Sequence, residues 1–111
     1  MARKVQVVAV GANDNVISDV PVHAAAALVG TSSATLVAAP TSSERRYLLI
    51  QNQHATQDIY VRLDGATATA DANSLKIPAG TSREWSGNYV PNGTVTAIAL
   101  GAATPVAVVT G

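Results

Sequence analysis

Short apolar stretches separated by turn residues run through most of this chain, and they constrain its fold more than any other feature. The clearest example lies at residues 58–64, where Ile59 and Val61 alternate with Tyr60 and Arg62 before an Asp-Gly turn signal. Alternation with a period of two is typical of a β-strand with one buried face. Such strands recur roughly ten residues apart, which is the pattern of a β-sandwich or a barrel.

The same reasoning predicts most of the remaining strands. They lie at residues 5–10, 16–22, 34–39, 44–52, 75–77, 81–85, 94–100 and 105–110. Residues 47–50 are apolar on both faces, which indicates a central strand, and Pro21 makes residues 16–22 an edge strand or an extended arm. The alanine-rich residues 23–29 are compatible with either a helical turn or extended chain.

These strands predict an all-β fold, a β-sandwich or jelly-roll-like single domain with an extended N-terminal segment. We expect residues 1–29 to form an N-terminal arm or edge strands and residues 30–111 to form the sandwich domain. The strand order stays open, because sandwich, jelly roll and small barrel share this pattern.

Composition indicates a core that depends on small side chains. Hydrophobic residues make up 48% of the chain, but 21 are alanine and 15 are valine, whereas phenylalanine is absent and only four residues are aromatic. Large side chains contribute most of the burial energy, so such a core is thin. We therefore expect the domain to gain stability from a neighbour, as a homo-oligomer does.

Charge and residue content argue against several classes of function. The net charge is zero and only 13% of residues are charged, which is a poor match to nucleic acid. No apolar run is long enough to span a membrane, and residues 1–15 lack the pattern of a signal peptide. The chain has no cysteine, which excludes disulfides and thiolate metal sites.

No group of residues predicts catalysis or metal binding. His23 and His54 lack the spacing of a zinc site, and we expect both to be solvated loop residues. Asp58 and Asp64 bracket one strand, so about 20 Å separates them and they cannot share a proton or a metal ion. Nucleophile and phosphate-loop motifs are missing. We expect no enzyme activity, no catalytic residue and no cofactor.

The few aromatic residues permit two interpretations. Arg83 and Trp85 share one strand face, a pairing found on recognition surfaces, but a lone tryptophan is also typical of a core. Together with Tyr60 and Tyr89, Trp85 is a candidate platform for stacking on a sugar. A small carbohydrate- or receptor-binding module is therefore the alternative function.

Residues 42–111 carry a resemblance to a known class of protein. In order, they contain a strand ending in Gln51-Asn52, the Ile-Tyr-Val strand at residues 59–61, and an Ile-Pro-Ala-Gly turn at residues 77–80. This layout resembles that of small all-β virion proteins of tailed bacteriophages. The resemblance implies a virion structural protein, in particular a capsid decoration or cement protein, commonly a homotrimer, and located in the virion after assembly in the host cytoplasm.

The resemblance also implies partners, namely the major capsid protein or another virion protein. An extended apolar segment can add strands to the sheet edge of a neighbour, and Tyr60 and Arg62 point away from the buried face of their strand. The candidate protein-interface residues are therefore Val5, Val7, Ile17, Val20, Tyr60 and Arg62.

Overall fold

The fold consists of nine β-strands in a computed structural model, which describes residues 21–24, 27–41 and 43–111. The strands are β1 (Val22–His23), β2 (Ala27–Val29), β3 (Ala34–Val37), β4 (Leu48–Asn52), β5 (Ile59–Arg62), β6 (Leu75–Ile77), β7 (Ser82–Trp85), β8 (Val95–Ala99) and β9 (Thr104–Thr110). These described ranges contain no helix, and hence none of membrane-spanning length.

The strands form two antiparallel sheets. Sheet A has the order β1-β9-β4-β7, and β2 follows β1 along the same edge of β9. Sheet B has the order β3-β8-β5-β6. The predicted all-β class is confirmed, and β4 occupies the central position that its apolar sequence predicted.

Strand pairing is nested around the connection between β5 and β6. β5 pairs with β6, β4 with β7, β3 with β8, and β2 with β9, so each pair encloses the one before it along the chain. Two further pairings join alternate members of this series: β4 with β9 in sheet A, and β5 with β8 in sheet B. The chain is therefore one long antiparallel hairpin that folds over on itself to give two sheets.

One apolar core lies between the sheets. Leu48 and Ile50 of sheet A and Ile59 and Val61 of sheet B are fully buried, and Val106 joins them from β9. Alternate residues of each strand point into this core because the side-chain period of a strand is two. Fully burying each of these side chains contributes about 1.5–3 kcal/mol.

Asn52 connects the two sheets by hydrogen bonds from within the core. Its side chain is fully buried at the end of β4, and its Nδ2 donates to the carbonyl oxygens of Gln57, at 2.7 Å, and Ile77 of β6, at 3.1 Å. Its Oδ1 accepts the backbone N–H of His54 at 3.0 Å. Both polar atoms are thus satisfied, which a buried amide requires.

Two open points from the sequence are resolved in the described residues. In the alanine-rich segment, the described residues that form regular structure are extended, in β1 and β2. Trp85 is partly buried against the core, opposite Leu48, which agrees with the core interpretation. The predicted strands at residues 5–10 and 16–20 lie outside the described residues.

Candidate functional site

The face of sheet A that points away from the core is apolar at its centre. On β4, Leu48 and Ile50 point inward, so Leu49 points outward. Leu49 lies directly opposite Val109 of β9, and Val109 lies opposite His23 of β1. Directly opposed residues of antiparallel strands lie on the same face of the sheet, so these three side chains form a row across it.

This row forms part of a groove of about 550 Å³. Its lining residues come from β1 and the residue before it, from β4 and the residues before it, and from the end of β9 and the residue after it. They are Pro21, His23, Arg46, Tyr47, Leu49, Val109 and Gly111. We call it the sheet-A groove. Val109 is only 8% exposed although it points away from the core, so its side chain is largely shielded from solvent.

Backbone hydrogen bonds fix one end of the sheet-A groove. The N–H of Gly111 donates to the carbonyl oxygen of Tyr47 at 3.1 Å, and the carbonyl oxygen of Gly111 accepts the N–H groups of Arg46 and Tyr47. The end of β9 is thereby held against the residues that precede β4.

One hydrogen bond positions the aromatic side chain of the groove. The Tyr47 hydroxyl donates to Oε2 of Glu84, on the neighbouring strand β7, at 2.6 Å. This hydrogen bond, followed by desolvation, raises the pKa of the Tyr47 hydroxyl above its ordinary value. The phenol therefore stays neutral, with its ring beside the aliphatic row.

The apolar surface continues along β9 beyond the groove. Pro105 and Ala107 point to the same side as Val109 because they alternate with the inward residues of β9. Pro105 lies opposite Leu28 of β2, which is 70% exposed. The outward row of β9 is thus apolar, whereas β4 presents Leu49 and the exposed Gln51 on the same face.

A second depression, of about 340 Å³, lies beside Arg62 and Asp64. Arg62 donates through Nε to Oδ1 of Asp64 at 3.2 Å, through Nη2 to Oδ2 at 2.6 Å, and through Nη1 to the carbonyl oxygen of Asn73 at 2.7 Å. The Arg62 hydrogen bond, with a second from the N–H of Ala66, lowers the pKa of Asp64 to about 2. Tyr89, 66% exposed, borders the same depression.

Of the predicted interface residues, the two that the structure describes, Tyr60 and Arg62, are not among the residues that line the sheet-A groove. Tyr60 and Arg62 point outward from sheet B, as predicted, and Tyr60 lies opposite Lys76 and Ile98 on that face. The candidates Val5, Val7, Ile17 and Val20 lie outside the described residues. An interface role for all six stays a prediction.

Sequence reasoning did not identify the residues that line the groove. Tyr47, Leu49, Val109 and His23 come from three distant parts of the chain, and only strand pairing brings them together. One signal was present, because residues 47–50 are apolar on both faces. It predicted a central strand correctly. The outward apolar residues of this stretch, Tyr47 and Leu49, are also the ones that line the groove.

The histidines lie in different surroundings. His54 is half-buried, and its Nδ1 accepts the backbone N–H groups of Thr56 and Gln57 at 3.0 and 2.9 Å, which shapes the loop after β4. His23 is exposed beside the groove. Across the described ranges, no three His, Asp or Glu side chains converge as metal ligands would.

Comparison with protein-family models, with curated proteins and with solved structures finds no match.

Proposed function

We propose that the protein is a structural virion protein, a capsid decoration or cement protein that stabilises a phage head through protein–protein contacts. The resemblance of residues 42–111 supports this class of function. The observation that carries the proposal is the outward face of sheet A, where β4 and β9 present Leu49, Val109, Ala107 and Pro105 beside the sheet-A groove. An apolar surface with this arrangement is suited to a protein partner.

We also propose that the fold is a jelly-roll β-sandwich. A jelly roll has eight strand positions in two four-stranded sheets, arises when a long antiparallel hairpin rolls up, and is common in capsid proteins. Counting β1 and β2 as one edge strand gives two sheets of four, and the nested pairing from β5–β6 out to β2–β9 supports this topology.

The proposed partners are the major capsid protein or another virion protein, together with further copies of this chain, with a trimer favoured. The proposed location is the virion, after assembly in the host cytoplasm. No catalytic step and no cofactor are part of this function. The thin alanine and valine core gains stability when a partner covers the outward face of sheet A, because burial of apolar surface is favourable.

Binding to heads tests this function directly. Heads that lack the protein are purified from the virus that encodes it and are then mixed with the full chain. We expect the protein to co-sediment with the heads and to raise the temperature at which they disrupt. Heads that neither bind the chain nor gain stability from it would contradict the proposal.

A matched pair of variants locates the contact. Leu49→Asp places a charge at the centre of the apolar face, and we expect it to weaken head binding about tenfold or more. Ile98→Asp makes the same change on the outward face of sheet B, where Ile98 is half-buried like Leu49, and we expect binding to be retained. Equal loss in both variants would exclude the sheet-A face as the contact.

A small β-sandwich carbohydrate- or receptor-binding module of a phage tail or fibre is the second candidate, and the depression beside Tyr89 supports it. An exposed aromatic ring next to an Arg62–Asp64 pair offers both stacking and hydrogen bonding to a sugar. Tyr89→Ala should abolish retention of the protein on a panel of immobilised glycans, whereas Tyr60→Ala should not. Absence of retention for the unmodified chain would eliminate this candidate.

A further inference from the structure

We propose that the sheet-A groove receives the N-terminal segment of a second copy of this chain, so that copies are joined by exchanged arms. The inference names the partner at the groove and rests on the proposed function, in which this face makes a protein–protein contact. It concerns residues 5–10 as the occupant and residues 11–20 as the connection.

The place where the chain enters the described body favours this occupant. Pro21 lines the groove, and its Cα lies 3.9 Å from the position that a Cβ on Gly111 would take. Twenty residues of the sequence precede Pro21. The N-terminal segment therefore starts from the rim of the apolar face.

The direction of β1 favours a second copy over the same chain. β1 runs antiparallel to β9 and begins beside the end of β9, so the chain reaches sheet A at that end. To cover the face, the same chain would have to reverse its direction within residues 11–20. A segment that comes from another copy needs no such reversal.

The apolar pattern of the segment matches the surface. Val5, Val7 and Ala9 alternate along one side of an extended chain. The outward row of β9 has the same period, with Pro105, Ala107 and Val109. Six extended residues span about 20 Å, close to the length of β9.

The length of the connection fits a neighbouring molecule. Residues 11–20 reach at most about 33–36 Å when fully extended. A folded body of this size has a diameter of about 30 Å. The segment can therefore reach the corresponding face of an adjacent copy and not a more distant one.

The size of the face explains why an arm is needed. Sheet A is four strands wide and β9 is seven residues long, which gives a face of about 19 by 23 Å, or about 440 Å². A stable interface buries about 800 Å² on each partner. Direct contact of two such faces falls short of this area, whereas an exchanged arm adds its own surface.

Engineered cysteines provide the test, because the chain has none of its own. Ala9→Cys marks the segment on the side that would face the sheet, and Gln51→Cys marks the outward face of sheet A, where Gln51 is exposed opposite Ala107. The two single variants are mixed and oxidised, and light scattering gives the mass of the unmodified full chain. A disulfide between the two variants joins two different molecules.

We expect an oligomer whose mass is a whole-number multiple of 11.3 kDa and a mixed disulfide between the Ala9→Cys chain and the Gln51→Cys chain. Lys76→Cys, on the exposed edge strand of sheet B, is the control and should give no such product with Ala9→Cys. A monomeric mass, the absence of the mixed disulfide, or a bond that forms only within a doubly substituted chain would overturn the proposal.

These outcomes are distinct from failure of the proposed function. If copies exchange arms but do not bind heads, the exchange stands and the virion role fails. If heads bind a chain that shows no exchange, the virion role stands and the exchange is overturned.

Discussion

The guanidinium of Arg45 holds three stretches of chain together inside the molecule. Arg45 is 7% exposed; its Nη1 donates to the carbonyl oxygens of Pro91 and Gly93, and its Nη2 donates to that of Ala38 at 3.0 Å. The chain after β3, the residues before β4 and the turn before β8 therefore meet at one side chain. Planar Arg with five donors suits this geometry better than Lys.

Replacing Arg45 should destabilise the fold but leave the residues that line the sheet-A groove unchanged. We expect Arg45→Ala to lower the free energy of unfolding by about 2–4 kcal/mol, because three carbonyl oxygens lose their donor. Arg45→Lys should recover part of the loss. Urea unfolding measures both variants, and an unchanged midpoint for Arg45→Ala would show that water replaces the guanidinium without cost.

Asp64 should make the free energy of unfolding depend on pH below about pH 4. Its pKa is lowered from 3.8 to about 2 in the folded protein by Arg62 and Ala66, so the carboxylate contributes stability at pH values above about 4. That contribution is lost as the pH falls from about 4 to about 2. We expect the protein to be more stable than Asp64→Asn at pH 7, and most of that difference to have disappeared at pH 2, measured by urea unfolding.

The comparison with Asp64→Asn isolates this carboxylate from the other acidic groups. Asp58 and Asp71 also have a lowered pKa, and they contribute equally to both proteins. A stability difference that is constant from pH 7 to pH 2 would contradict the assignment.

At the scale of single elements, the turn between β8 and β9 contains a strained residue. Ala103 has φ of 58°, in the left-handed region that costs a residue with a Cβ about 1 kcal/mol relative to glycine. We expect Ala103→Gly to raise the free energy of unfolding by about 1 kcal/mol in thermal or urea unfolding.

The neighbouring Ala102 gives the matched control for that turn. It is exposed, as Ala103 is, and Ala103 is the non-glycine residue with positive φ in the described part of the chain. Ala102→Gly should therefore bring no gain. Equal effects of the two substitutions would show that chain flexibility, and not relief of strain, controls the turn.

The edge strands of both sheets carry features that discourage pairing with other molecules. β7 has Arg83 and Glu84, β6 has Lys76, and β3 contains a register irregularity between Thr35 and Val37. Charges and bulges of this kind protect open edges. The apolar surface of sheet A thus lies on a face, whereas three of the edges are protected.

At the scale of the whole molecule, the division of the chain at residue 29 stays a prediction, and β1 and β2, on its N-terminal side, belong to sheet A. β1 and β2 pair with β9, and Val29 is a core residue at 5% exposure. Removing residues 2–20 leaves every described strand in place. Removing residues 2–29 uncovers the edge of β9 and takes away a buried valine.

These two deletions should differ in the free energy of unfolding. We expect the chain without residues 2–20 to unfold cooperatively with near-normal stability, and the chain without residues 2–29 to lose at least about 3 kcal/mol. Circular dichroism during urea unfolding measures both. Unfolding of the shorter deletion would show that residues 2–20 are needed for the body itself.

Much of the local structure follows from the sequence alone. Alternation predicts β5 with Ile59 and Val61 inward, and the two-faced apolar stretch predicts β4 as a central strand. These predictions succeed because the period of a strand and the punctuation by turn residues are local properties. The outward direction of Tyr60 and Arg62 follows in the same way.

The nested pairing and the groove depend on tertiary structure. No local pattern specifies that β2 pairs with β9 or that His23, Leu49 and Val109 share one row, because partners far apart in sequence meet only when both sheets form around one core. The sequence determined which residues are strands and which side of each strand is apolar. Tertiary structure decided which apolar side became the core and which became the outward face with its groove.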